Sequence, residues 1–233
     1  MKAKDVMTAP AVSVGPTTPV PAIARLLLAR HISAVPVVDG LGSVIGMVSE
    51  GDLMRRPESE TEGAASWWLA LLAGPEERAA RYLRSHGLEA RDVMTREVFT
   101  VNEEASLEEI ATLLERRHIK RVPVLRDGAL VGIVSRANLL HGLVARAPTG
   151  RALRNQRAPT RAAVLAAIRA AELPIDYVNV VVADGVVHLW GGVESRVVAD
   201  AIRVAAERTP GVGRVEDHLF VMTMRLIGAI GGT

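Results

Sequence analysis

The chain has 233 residues, 49% of them hydrophobic but only 3% aromatic, with 28 Lys plus Arg against 26 Asp plus Glu and no Cys. That length suits one or two domains with an aliphatic core, and the lack of Cys excludes disulfides, thiolate metal sites and a thiol nucleophile. A net charge of +2 with a pI of about 9.4 reflects cations that are nearly all Arg, charged beyond pH ~12, and is no nucleic-acid signature.

The first motif, Asp5-Val6-Met7-Thr8, follows the start so closely that no room is left for a signal peptide. No apolar run reaches the ~18–20 residues of a membrane span, so a cytoplasmic protein is expected. Residues 1–55 read as strand, helix, strand, strand, helix. Thr18 is the expected helix cap, with Pro19 in the first turn, and Ile23, Leu26 and Leu27 form the apolar stripe. The helix ends near His31. Val35-Pro36-Val37 then starts a strand, Asp39-Gly40 turns, and Gly46-Met47-Val48-Ser49 closes a second strand before Asp52-Leu53.

Residues 56–90 read as an insert. A polar loop over 56–63 precedes a helix capped by Ser66 with Trp67, Trp68, Leu71 and Leu72, interrupted at Gly74-Pro75. A second amphipathic helix follows from Glu76 to His86. Adjacent tryptophans cannot share one helix face, and packing of the insert on the rest is expected.

Residues 91–145 repeat the opening. Asp92-Val93-Met94-Thr95 lies 87 positions after Asp5-Val6-Met7-Thr8, and at that offset His118-Ile119 meets His31-Ile32 and Val122-Pro123-Val124 meets Val35-Pro36-Val37. One residue is lost from the turn at Asp127-Gly128, and Gly132-Ile133-Val134-Ser135 follows. Ser106 and Glu109 form a capping box for the helix carrying Ile110, Leu113 and Leu114. Two copies imply a pseudo-symmetric pair with a cleft between like halves, not a solenoid.

Residues 146–159 form an Arg-rich linker with Arg146, Arg151, Arg154 and Arg157. From 160 to 225 the order is helix, hairpin, helix, strand. Val164, Leu165 and Ile168 mark the first helix, Asp184-Gly185 the hairpin turn, Gly191-Gly192 a strand break, and Ser195 to Arg208 the second helix. The last strand runs from Gly213 to Met222. The fold class is α+β: two tandem β-α-β-β-α repeats plus a small αββαβ unit.

The chemistry-bearing residues are few. His31 and His118 occupy matching positions, which suggests a scaffold role at helix C-termini. The other histidines (86, 141, 188 and 218) form no close-spaced cluster, and no metal site is expected. No Ser-His-Asp order, paired acids or cofactor fingerprint occurs, and the glycines lack the phosphate-loop pattern with its Lys-Ser/Thr. No catalytic residue is assigned, and a non-enzyme is expected. Aromatics are scarce, with Trp67-Trp68 outside any basic stripe, which argues against nucleic acid.

The two copies resemble CBS domains, which pair into a Bateman module. Asp-Val-Met-Thr, Val-Pro-Val, the Gly-hydrophobic-hydrophobic-Ser turn, and Asp52-Leu53 or Asn138-Leu139 carry the likeness. The last unit resembles a BON domain through Val180 to Val182, Asp184-Gly185-Val186-Val187, Gly191-Gly192-Val193 and Pro210-Gly211-Val212. The first resemblance implies a regulatory, signal-transducing protein with an adenosine nucleotide (AMP, ADP or ATP) between the repeats and no required cofactor. Ser49 and Asp52, with Ser135 and Asn138, would meet ribose and phosphates. Val35-Pro36 and Val122-Pro123 would wall the adenine, and Lys120 and Arg121 would face phosphate. Ser49-x-x-Asp52 is also a plain helix-capping pattern, and Asn138 departs from the usual acid. The resemblance implies a homodimer as well. The alternative is a dimeric scaffold whose BON domain attaches to anionic phospholipid or a protein partner.

Overall fold

The structure is a computed structural model, and it describes residues 1–54, 88–146 and 160–222. The expectations for the Trp67-Trp68 insert and for most of the Arg-rich linker lie outside the described residues. The chain divides near Arg136 into two compact units.

In the first unit the elements are α1 (Ala3–Val6), α2 (Val20–Ala29), β1 (Ala34–Val38), β2 (Val44–Ser49), α3 (Glu50–Met54), α4 (Ala90–Val93), β3 (Val101–Asn102), α5 (Leu107–Arg116), β4 (Arg121–Arg126) and β5 (Ala129–Ser135). β1 and β2 pair antiparallel, as do β4 and β5, and β3 lies parallel to β4. The opening strand expected of each copy shrinks in the first to a single bridge, Val14 to Val37, which matches Val101 to Val124 in the second.

Each Asp-Val-Met-Thr arm folds on the other repeat. Ala3 N–H donates to Ala105 O at 2.8 Å, and 87 positions later Ala90 N–H donates to Thr18 O at 2.9 Å. Thr8 exchanges two backbone bonds with Ile133 (2.9 and 3.0 Å), and Thr95 does the same with Met47 (2.9 and 3.0 Å). The first repeat's core is accordingly mixed. Ala90, Val93 and Met94 pack with Val14, Val20, Ile23, Leu27, Val35, Val37 and Val48. The glycines of β2 and β5 make this fit possible. A Cβ on Gly46 would lie 2.3 Å from Met94 Sδ, and one on Gly132 would lie 2.5 Å from Met7 Sδ.

Helix ends follow local chemistry. Ser106 Oγ accepts from Glu109 N–H at 3.1 Å while Glu109 Oε2 accepts from Ser106 N–H at 2.7 Å, the expected box. In the first repeat the cap position belongs to Pro19 and not Thr18, because Thr18 O is engaged by the incoming Ala90. His31 (φ 47°) and His118 (φ 52°) hold left-handed backbone after α2 and α5, a region that His tolerates better than most residues. Ile32 N–H reaches back to Leu27 O and Ile119 N–H to Leu114 O, both at 3.0 Å, so the repeated histidines sit in Schellman turns.

The second unit holds α6 (Arg136–Ala145, divided from the first unit after Arg136), α7 (Arg161–Ala170), β6 (Val178–Ala183), β7 (Val186–Val193), α8 (Arg196–Glu207) and β8 (Arg214–Val221). The sheet order is β6-β7-β8, antiparallel then parallel. Val164, Leu165 and Ile168 of α7 and Ala199, Ile202 and Ala206 of α8 pack with Val180, Val187, Leu189 and Leu219. Asp184 (φ 49°) and Gly185 (φ 80°) make the expected turn. Gly191-Gly192 does not break the strand, which continues to Val193. Gly191 has φ 126°, and a Cβ there would lie 1.9 Å from Tyr177 O, so glycine lets the strand pass its neighbour.

Candidate functional site

The first unit contains a crevice of about 480 Å³, within the usual range for small-ligand sites. The first repeat lines it with Ser33, Ala34, Met47 and the turn Ser49 to Asp52. The second contributes Thr95, the stretch Glu97 to Phe99, and Ile119, Lys120, Arg121 and Pro123. The exchanged arm positions this wall, since Thr95 is held to Met47 by its two backbone bonds.

Ser49 ends β2 and starts α3. Asp52 Oδ2 accepts from Ser49 N–H at 2.9 Å and from Ser49 Oγ–H at 2.6 Å, so the helix-capping reading of this pair is correct. Both bonds fall on Oδ2, so capping leaves Oδ1 available to a ligand at the half-buried crevice wall. Opposite, the partly buried Arg121 guanidinium donates to Ser33 Oγ. Burial lowers the pKa of Arg121, and Glu50 pulls the other way without reversing it. A desolvated cation of this kind, bonded to a neutral hydroxyl, gains from an anionic ligand. Lys120 is exposed beside it. Phe99 supplies an aromatic face that Arg117 orients, with its guanidinium carbon 4.4 Å from the ring centroid.

Of the ten residues expected at a ligand site, Ser49, Asp52, Lys120, Arg121 and Pro123 come together here. Val35 and Val122 are fully buried and do not line the crevice, because strand alternation turns them to the opposite face from Pro123, which is itself buried but borders the crevice. Pro36 is buried, and Ser135 and Asn138 (4% exposed) lie at the end of β5 and in α6, outside this crevice. Sequence reasoning missed Thr95 to Phe99, a stretch with no periodic pattern. Phe99 is one of only two Phe in the chain, and that scarcity was the available signal.

A second grouping corrects the sequence expectation that the histidines are scattered. His188 and Glu216 are register partners across β7 and β8, and His218 lies two residues further on the same face. His188 Nδ1 is 3.3 Å and His218 Nε2 3.7 Å from Glu216 Oε2. Spacing along the chain hides this, because the strands bring together residues some 30 positions apart.

Residues 3–59 and 90–145 match the CBS domain, and residues 156–222 match the BON domain. The chain belongs to the CBS-domain family. It carries a CBS pair followed by a BON domain. An uncharacterised protein of Methanocaldococcus jannaschii is 30% identical over 62% of this chain and 92% of its own length. The chloroplast CBS domain-containing protein CBSX2 of Arabidopsis thaliana is 28% identical over 54% of this chain and 56% of its own length. Among solved structures, CBSX2 in complex with AMP aligns with TM-score 0.55 and 28% identity, over 62% of this chain and 97% of that one. CBSX2 is named as a CBS domain-containing protein, and the matched structure is its complex with AMP. No helix among the described residues is long and apolar enough to cross a membrane.

Proposed function

We propose that this chain is a cytoplasmic, non-catalytic regulatory protein whose CBS pair binds an adenosine nucleotide of the AMP, ADP or ATP class and relays occupancy to the BON domain. The observation that carries the reading is the crevice with the desolvated Arg121 on one wall and the Asp52 carboxylate on the other. Asp52 Oδ1 accepts from the ribose hydroxyls, a role suited to a carboxylate because it has no competing donor. Arg121 and Lys120 take phosphate, Arg as a planar fork and Lys as a point charge. Phe99, Ile119 and Pro123 pack on the purine. The AMP complex of CBSX2 supports the ligand class. Relay requires the nucleotide to bind one pose of the protein better than another.

Thermal unfolding with AMP, ADP, ATP and S-adenosylmethionine tests the reading. A ligand at 100 times its Kd stabilises by about 2.7 kcal/mol. Stabilisation by at least one nucleotide that Asp52→Ala abolishes is expected; no shift at millimolar concentrations refutes the proposal.

A second reading, a dimeric scaffold with the BON domain as adaptor to anionic phospholipid or protein, is favoured by one surface. Leu140, Leu143 and Val144 of α6 are 61%, 68% and 45% exposed, an apolar face suited to a second copy. Sedimentation equilibrium reads the dimer. Co-sedimentation with anionic vesicles, comparing the full chain with residues 1–146, reads the adaptor; equal binding by both removes the BON domain from that role.

A further inference from the structure

We propose that His188, Glu216 and His218 form a binding site for a zinc-class divalent cation on the BON-domain sheet. Tetrahedral ligands about 2.0–2.2 Å from a zinc ion stand about 3.4 Å from one another. The two nitrogen-to-carboxylate separations, 3.3 and 3.7 Å, bracket that value. All three donor atoms lie within 4.8 Å of one another, so the two imidazoles need close by little more than an ångström.

The protein leaves these donors unused. His188 is 2% exposed, and its Nδ1 makes no hydrogen bond; neither does His218 Nε2. A buried nitrogen without a partner destabilises the fold, and a shared cation would satisfy both at once. The surroundings hold the donors in place. Arg214 Nη2 sits 3.1 Å from the other carboxylate oxygen, Glu216 Oε1, which leaves Oε2 turned to the histidines. The Trp190 indole stacks on His218 at 3.8 Å between ring centroids, and His141 also stacks on Trp190, at 4.5 Å. Such outer contacts orient ligands in known metal sites.

The donor set selects the metal. Two imidazoles and one carboxylate suit zinc and its transition-metal neighbours, while magnesium and calcium demand oxygen cages. A plain His188–Glu216 ion pair is the competing account. A simple pair does not account for the second imidazole, because His218 Nε2 faces the same Glu216 Oε2 at 3.7 Å. Three protein ligands leave a fourth position open, reached past the part-exposed His218. A bound cation pins β8 to its neighbour β7.

The test is a zinc titration of the full chain after chelator treatment and dialysis, without nucleotide, so that its outcome is independent of the crevice. One equivalent of Zn²⁺ is expected to bind, and Co²⁺ to give the visible band of a four- or five-coordinate site. His218→Gln and Glu216→Gln are expected to weaken binding by more than the about 10–100-fold typical of losing an outer-shell partner. His188→Gln risks the fold. His218 is the safer variant, and its metal-free melting curve establishes that it folds. Absence of stoichiometric zinc, or an equivalent retained at parental affinity in both His218→Gln and Glu216→Gln, overturns the proposal.

Discussion

Arg121 and Asp52 divide the crevice between them. If Arg121 serves phosphate, Arg121→Met weakens AMP by about 10–100-fold, the worth of a charge-assisted hydrogen bond, and leaves adenosine unchanged. Isothermal titration with both ligands reads this directly, and equal loss for both would assign Arg121 to shape alone. Another residue-scale effect lies where the first arm meets the second repeat. Glu104 bonds Lys2 Nζ at 2.6 Å and also Lys4 Nζ, and these hydrogen bonds lower its pKa from 4.5 to about 2. A depressed carboxylate stabilises the fold above its unfolded pKa, and that contribution fades as pH falls from 4.5 towards about 2. Glu104→Gln is expected to flatten the melting temperature over that window and to do so less in high salt, because the groups are exposed and screened. A parallel pH curve for parent and variant would deny the pair any role in docking the arm.

At the scale of elements, the glycines of β2 and β5 are the sensitive points. Gly46→Ala drives a methyl into Met94, whose side chain can move; Gly132→Ala meets Met7 and also Thr8 O at 3.0 Å. Both are expected to lose about 1–3 kcal/mol, with Gly132→Ala the worse because backbone cannot yield. Denaturant unfolding measures this. Pairing Gly46→Ala with Met94→Ala is expected to show coupling, since the double change removes the clash. Much of this architecture was legible in the residues. Ser106 with Glu109, Asp184-Gly185 and the duplicated strands each carry their own local chemistry, and Ser49-x-x-Asp52 announced a helix start that also borders the crevice. What escaped depends on partners far away in sequence. Thr18 looks like a cap until Ala90 occupies its carbonyl, Gly191 looks like a breaker until Tyr177 passes beside it, and His188 gives no hint of His218. Val35 and Val122 were assigned to the wall although alternation alone turns them away from Pro123's side.

For the whole molecule, the question is which pieces stand alone. The BON core closes among its own helices and sheet, from Val164 to Leu219. Residues 160–222 are therefore expected to fold in isolation, with the modest stability of a domain of that size, readable by far-UV circular dichroism and a cooperative melt. Residues 1–87 lack the Ala90, Val93 and Met94 that complete the first core. That fragment is expected to remain unfolded until mixed with residues 88–146, when helical signal appears. Independent folding of the first fragment would mean that the swapped arms decorate the repeats rather than finish them.

The crossed arms carry an implication about ancestry. A lone gene encoding one repeat would yield a product with its own groove vacant and its arm idle, curable only by clasping a twin. Fusion of two such genes makes that embrace permanent within one polypeptide and releases the partners from being identical. Arg121 reaching over to Ser33, where strict twins would offer matching side chains, records the divergence. It leaves the crevice with the carboxylates Glu50 and Asp52 on the first repeat's wall and the cations Lys120 and Arg121 on the second's, so the two walls are no longer interchangeable.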